Sequence, residues 1–396
     1  MTAAHPTSVA AGEALDSVTR SLNAWIELDL DALGHNIRTL RRIIGEGVDL
    51  IAVVKANAYG HGMAGIVPAL EAMGVDRFAV VSVAEALAVR RLGARAPVLV
   101  MGHSFPEDAH AAVQHDITLT IHTVDLARAL GDEARAAGKV VPVHIKVDTG
   151  LHRFGLAPRE AIVLAERARE IDGIVVDGLW THMANADEAD DSFSERQQET
   201  FEAVAGELAW IPYRHAANSA TALRRPTLRY HGVRVGLAMH GVLPPNTPAA
   251  GLLPVLALKA RLARVSMIAP GEGVSYGLTW RANRPARIAL VPVGYGDGLH
   301  RSLGNLGETL VNGHRAPMIG RICMDHYVID VTDIPGNVEE GTDAVIIGDQ
   351  GGDRITADEL AGHAGTISWE VLSALQARLP RVFHRQGAVE RIVPPA

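Results

Sequence analysis

The sequence predicts an α/β protein: a (β/α)8 barrel of the TIM type followed by a mostly-β C-terminal domain. Three observations predict it. Eight short apolar runs alternate with helical patterns through the first 240 residues. The Pro/Gly-rich stretch Pro244-Pro245-Asn246-Thr247-Pro248 interrupts that alternation. Beyond it, strand-like runs dominate. A length of 396 residues also exceeds what one ordinary core holds.

The elements follow in order. Ala24 to Leu30 is the first ordered run, and Asp31 is a candidate cap for a helix running through Arg42. Strand-like runs cover 50–55, 77–82, 97–101, 117–121, 141–148, 174–181, 212–216 and 232–238. Helical patterns lie between most of them, at 63–73, 84–92, 106–114, 124–137, 158–170 and 195–209. Ser194 and Gln197 read as a capping box for the last. The link 219–224 looks shorter and less regular. A doubly wound open sheet is the alternative, but no Gly-x-Gly-x-x-Gly follows the first of these runs. In the second domain strands are expected at 255–268, 286–293, 308–311, 315–323 and 326–331, with helices at 356–364 and 367–377. Asn312-Gly313 is the strongest hairpin signal. The boundaries expected are a disordered extension 1–21, a barrel 22–250 whose first run joins the other domain, and a β-rich domain 251–396.

Composition excludes several function classes. Nearly half of the residues, 48%, are hydrophobic, as in a globular protein. The net charge of −8 is mixed in sign, with no basic stripe, so nucleic acid is not an expected partner. A single cysteine, Cys323, leaves no disulfide framework and fits a reducing cytoplasm. No apolar stretch is long enough for a membrane span, and residues 1–21 lack the apolar core of a signal peptide.

Chemistry is expected where barrel strands end. The run Leu50–Val54 is apolar throughout, as in a strand buried on both faces, and it ends at Lys55. Desolvation there lowers a lysine pKa and leaves the amine nucleophilic, as Schiff-base lysines require; the bland reading is a strand-end lysine reaching solvent. Tyr59 follows. In 143–148, Lys146 and Asp148 share one face and could form a buried ion pair. Arg153 suits a carboxylate or phenolate, or is simply a surface residue. His182 ends the sixth run, where a satisfied core histidine is the usual outcome. Asn218-Ser219 and Arg234-Val235-Gly236 follow the seventh and eighth runs, where barrels often bind phosphate. The second domain adds the Gly-flanked segments 273–277, 294–298 and 320–325, each turn-like when taken singly. Cys323 and His326 lack partners at zinc spacing, so no metal site is expected.

Together these segments resemble the alanine racemases, enzymes that use pyridoxal 5'-phosphate (PLP). The resemblance carried by Val53-Val-Lys-Ala-Asn-Ala-Tyr-Gly-His-Gly62 and the segments above runs from about Trp25 to the C-terminus. It implies a cytoplasmic homodimer with shared active sites that interconverts L- and D-alanine and supplies D-alanine for cell-wall peptidoglycan. Lys55 would hold the cofactor and act as the base on the D side. Tyr276 of the other subunit would be the base on the L side. Tyr59, Ser219 and the backbone at Gly236-Leu237 would hold the phosphate, next to Asn218. Arg234 would bond the pyridine nitrogen; a lasting cation there leaves that nitrogen unprotonated and weakens the electron sink. His182 would sit between Tyr276 and Arg234 and tune the tyrosine. Arg153 would bond the cofactor phenolate and the substrate carboxylate, braced by Lys146, which is often carbamylated in the family. Met324 would offer its N–H to the carboxylate, Asp325 would support the site, and Tyr295 would line the entrance.

Three positions depart from the family pattern. Trp369 stands where a tyrosine usually contacts the phosphate, in Ile367-Ser-Trp-Glu370. Val235 replaces a proline and His240 a tyrosine. Trp369 and His240 motivate a second hypothesis, a racemase for serine or bulkier amino acids. Decarboxylases of the same barrel type would need a different C-terminal site. A PLP-carrying protein without turnover would lack the second domain.

Overall fold

The computed structural model describes residues 21–395; the extension expected at 1–21 lies, but for its last residue, outside them. The chain folds as two compact units. One comprises residues 34–58 and 66–253, the other residues through Leu33, 59–65 and 254–396.

The first unit is a parallel barrel. After β1 (Ala24–Asp29) come β2 (Asp49–Val53), β3 (Arg77–Val80), β4 (Val98–Val100), β5 (Ile117–Ile121), β6 (Val141–Lys146), β7 (Ile174–Trp180), β8 (Tyr213–His215) and β9 (Gly232–Val235). Strands β2 to β9 make an eight-stranded sheet in the order β8-β7-β6-β5-β4-β3-β2-β9. The β8–β9 seam is joined by single hydrogen bonds, His231 N–H to Arg214 O (3.0 Å) and Arg234 N–H to Ala217 O (2.9 Å). Leu50, Ile51, Val80, Leu119, Val143 and Leu179 are all at least 95% buried, as expected of strands covered on both faces. A doubly wound sheet is therefore ruled out by the β2–β9 pairing.

Helix ends in this unit follow local chemistry. Ser82 and Thr123 cap the helices Val83–Arg91 and Val124–Ala136 by accepting the N–H groups of Glu85 and Leu126. Two sequence expectations fail. The helix after β7 starts at Ser192, two residues before the expected capping box. Ser194 is therefore a buried interior residue, and the Gln197 side chain instead accepts the Ala184 N–H at 2.8 Å. At the first helix the cap is Asp29, not Asp31: its Oδ1 accepts the N–H groups of both Asp31 and Ala32.

The second unit is mostly β. Its strands are β1 with β10 (Leu256–Arg261), β11 (Arg264–Ile268), β12 (Gly273–Val274), β13 (Trp280–Arg281), β14 (Ala286–Val291), β15 (Glu308–Val311), β16 (His314–Ile319), β17 (Tyr327–Asp330), β18 (Asp343–Gln350), β19 (Asp353–Ile355), β20 (Arg381–Arg385) and β21 (Ala388–Val393). The single run expected at 255–268 is thus two strands, separated at Leu262-Ala263. An eleven-stranded sheet runs β11-β14-β17-β16-β15-β18-β10-β1-β20-β21, with β19 on β18. β1 pairs antiparallel with β10 and parallel with β20. The Asn312-Gly313 turn forms as expected: both residues have positive φ (50° and 77°), and Val311 pairs with His314. Among the described residues no helix is long and apolar enough to cross a membrane.

Candidate active site

Lys55 follows β2 and opens an unusual turn. Ala56, Asn57, Ala58 and Tyr59 all have left-handed φ, between 51° and 54°. Each such L-residue costs roughly 1–2 kcal/mol, so four in a row need support. Ala58 N–H donates to Val54 O at 2.9 Å. Ala56 N–H donates to Glu85 Oε1 at 2.7 Å, while Glu85 Oε2 accepts the Val81 N–H at 2.9 Å. Small side chains at 56 and 58 suit this crowded backbone. Gly60 follows with φ 80°, and a Cβ there would fall on the Leu372 carbonyl oxygen. Burial lowers the Lys55 amine below its ordinary pKa, Arg153 adds to this, and Glu85 opposes it.

The ends of β6, β7 and β9 gather positive charge. Lys146 is buried, 5.0 Å above the Trp180 ring and 5.4 Å from that of Phe154. Burial, with Arg153 and Arg234 nearby, pushes its amine down to about 8. Asp148 does not neutralise it through an ion pair. Its carboxylate turns the next loop instead, accepting the N–H groups of Gly150 and His152. The Arg153 side chain is exposed.

Arg234 lies inside the barrel, 3% exposed. Its guanidinium donates to the carbonyls of Thr181 (2.7 Å), His215 (3.0 Å) and Ala216 (3.0 Å), to His215 Nδ1 (2.8 Å) and to His182 Nδ1 (3.3 Å). Among the described residues no carboxylate bonds it. Burial lowers its pKa to about 9. Its Nε–H is buried and has no partner. His182 is held well below the usual histidine range by burial and then by Arg234, so it is neutral; with Nδ1 accepting, its proton sits on Nε2.

A polar cradle closes this region. Asn218 caps the helix Ser219–Arg224 by accepting the Thr221 N–H. Ser219 Oγ accepts the Gly236 N–H at 3.2 Å. Gly236 has φ −112° and ψ −102°, and Leu237 opens a one-turn 3-10 helix ending at the buried His240.

In the second unit three loops converge. Ser275 has φ 62°, and its Oγ donates to Arg321 O at 2.5 Å. Tyr295 N–H donates to Cys323 O (3.1 Å) and Gly296 N–H to Met324 O (2.8 Å). Arg378 bridges Asp297 and Asp325, each at 2.8 Å, and Asp297 also accepts the Gly294 N–H. Three side chains at these loops stand exposed: Tyr276 by 70%, Met324 by 54% and Tyr295 by 43%. Tyr59 falls in this unit, and Trp369 lies in the first turn of the short helix Ser368–Ser373 in it, where Leu372 meets Gly60.

Two family models match, the alanine racemase N-terminal domain over residues 28–244 and the C-terminal domain over 255–383. The chain belongs to the alanine racemase family. It is 41% identical over 372 residues to the alanine racemase of Symbiobacterium thermophilum, covering 92% of this chain and 98% of that one. Among solved structures, the alanine racemase from Bacillus anthracis with bound L-Ala-P superposes with a TM-score of 0.88 at 34% identity, over 94% and 98% of the two chains. That from Streptomyces coelicolor gives 0.87 at 34%, over 93% and 100%.

Alanine racemases depend on PLP, and the residues present fit that cofactor. The test is Arg234: a buried cation with one unpartnered donor, Nε–H, needs an acceptor there, and a pyridine nitrogen is one. Several supporting residues escape the sequence motifs. Glu85 sits in a helix, His144 and Asp177 in strands β6 and β7, and His215 ends β8. Only the polar character of Asp177 within an otherwise apolar run, and of His144 in another, carried a signal.

Proposed function

We propose that this protein racemises alanine, using PLP held by Lys55 and two bases on opposite sides of the substrate. The observation that carries the reading is Arg234. Its donors are spent on three carbonyls and two neutral imidazoles, and one N–H is left for the cofactor ring.

Bound PLP supplies the electron sink that makes the substrate α-hydrogen acidic. This chain's residues do the rest. Ser219, Asn218 and the Gly236-Leu237 backbone, with Tyr59, hold the phosphate. Arg153 orients the substrate carboxylate, and the Met324 N–H offers a second donor. Lys55, whose amine burial holds below its ordinary pKa, is the base on the D side. Tyr276 takes the opposite side. A phenol in water is a poor base at neutral pH, yet Tyr276 is 70% exposed in this single chain. That exposure, with those of Met324 and Tyr295, supports a homodimer whose active sites are completed by the partner copy. There the Nε2–H of His182 can donate to the Tyr276 oxygen and lower the cost of its ionised form. Lys146, carbamylated, would become an anionic brace for Arg153. Asp325, tied through Arg378 to Asp297, keeps the Met324 loop in place.

The cellular reading follows from the product: a soluble enzyme of the cytoplasm supplying D-alanine for peptidoglycan. A second reading, broader substrate range, is favoured by Trp369 and His240, which stand where the family usually has tyrosine. The deciding experiment measures loss of α-deuterium from L- and D-alanine and the chirality of the product. Exchange from both enantiomers is expected, faster than for serine or larger amino acids. No exchange from either enantiomer would end the proposal.

A further inference from the structure

Behind Arg234 lies a line of polar groups, two buried imidazoles ending at a part-exposed carboxylate, to which the reaction above assigns no step. His215 Nδ1 lies 2.8 Å from Arg234, His215 Nε2 lies 3.0 Å from His144 Nδ1, and His144 Nε2 lies 3.8 Å from Asp177 Oδ2. Both imidazoles are at most 1% exposed. Trp180 stacks on His215 with ring planes 9° apart. Gly178 makes room for His144: a Cβ on it would come within 2.5 Å of the ring.

The proton positions along this line are forced. Arginine has no acceptor, so His215 Nδ1 must carry a lone pair. Burial and Arg234 keep His215 neutral, so its proton is on Nε2. That proton faces His144 Nδ1, which must then be the acceptor, because two N–H groups cannot meet at 3.0 Å. Burial also depresses the His144 pKa, so its single proton is on Nε2, the nitrogen facing Asp177. The backbone is arranged for this. Along β6 and β7, Val143 pairs with Val176 and His144 with Gly178, so Asp177 is an extra residue in the register. Such bulges re-aim side chains next to active sites. Asp177 is the anion at the end of the line, with Arg77 also near it.

We propose that Asp177 and His144 are positioning residues that act through His215 to fix the Arg234 guanidinium with its Nε–H presented to the cofactor ring. An anion behind two aligned imidazoles strengthens His215 Nδ1 as an acceptor, in the way a carboxylate orients and polarises a catalytic histidine. The kinetic consequence rests on the racemase reading; the proton positions do not.

Two measurements test this. In holoenzyme labelled with 15N-histidine, His215 and His144, assigned with single variants, should both show the Nε2–H tautomer at neutral pH. A proton on Nδ1 of either ring, or an imidazolium, overturns the proposal. His144→Phe and Asp177→Asn should each lower kcat for alanine by about tenfold with KM within about twofold, the range seen when a supporting partner is lost. Asp177→Asn should also shift the His215 Nε2 resonance without changing its tautomer. The control is Val176→Ala, which loosens the same strand without touching the line and should leave kcat within about twofold. If His144→Phe does not fold, Asp177→Asn alone decides. Unchanged kcat and an unmoved His215 resonance in Asp177→Asn sink the idea. If the wild-type enzyme racemises nothing, the proposed function fails, while the tautomer measurement still decides this inference.

Discussion

Glu85 accepts the Ala56 N–H at 2.7 Å, one residue beyond Lys55, and so anchors the left-handed turn from a neighbouring helix. Its other oxygen holds the Val81 N–H. Glu85→Ala hands two exposed backbone donors over to water and should cost about 0.5–1.5 kcal/mol for each bond lost. It also removes a carboxylate that raises the Lys55 pKa. In cofactor-free protein, acylation rate against pH should place the Lys55 amine lower in Glu85→Ala than in wild type. An unchanged or higher pKa would contradict the assigned role.

Gly60 allows the chain to pass the Leu372 carbonyl at φ 80°. Gly60→Ala must move either the Tyr59 segment or the helix Ser368–Ser373. We expect a loss of several kcal/mol, among the larger effects of single substitutions, because it combines overlap with a strained φ. Thermal unfolding checks this. Gly45, also at positive φ but with open space around it, should tolerate alanine much better.

Lys146 makes stability depend on pH. Its pKa falls from 10.5 to about 8 in the folded chain. The unfolded state therefore binds more protons between those values, and stability rises with pH across that window. Lys146→Met removes the buried cation. It should raise the urea midpoint of uncarbamylated protein below about pH 8, and the gain should shrink as pH climbs toward 10.5. A gain that does not vary with pH would refute the buried-cation account.

Arg234 should tolerate lysine poorly. Lys keeps the charge but not the planar fork that serves three carbonyls and two imidazoles. Each buried carbonyl left unpaired costs about 1–3 kcal/mol. Arg234→Lys should lower the unfolding temperature and weaken PLP binding at least tenfold, the equivalent of about 1.4 kcal/mol. An absorbance titration with PLP reads the second effect.

Shared active sites have a direct test. Lys55→Ala and Tyr276→Phe should each be inactive, while Tyr276→Phe still binds PLP. Unfolded together and refolded, the two variants should regain about a quarter of wild-type activity, because half the dimers are mixed and each mixed dimer has one intact site. No recovery, with mixed dimers present, would show that both bases come from one chain.

Much of the architecture was legible in the sequence. Strand–helix alternation, the proline break and Asn312-Gly313 each reflect a local rule, and local rules act wherever the residues stand. The place of Lys55 just after an apolar strand was legible for the same reason: a lone charge at the end of such a run is conspicuous. The Ser194–Gln197 capping box was misread because tertiary contacts, here the Ala184 N–H held by Gln197, override a local pattern. The left-handed run Ala56–Tyr59 was not legible either. Alanine and asparagine have no intrinsic need of positive φ; partners such as Glu85, 29 residues away, hold them there.

By itself the sequence determined which residues could carry charge, nucleophile and turn, and their order along the chain. Only the tertiary structure decided which of them meet. It alone set Asp177, His144, His215 and Arg234 in one line, because strands distant in sequence lie side by side in a barrel. The direction of each proton in that line depends on contacts of about 3 Å, and spacing along a chain does not encode such distances.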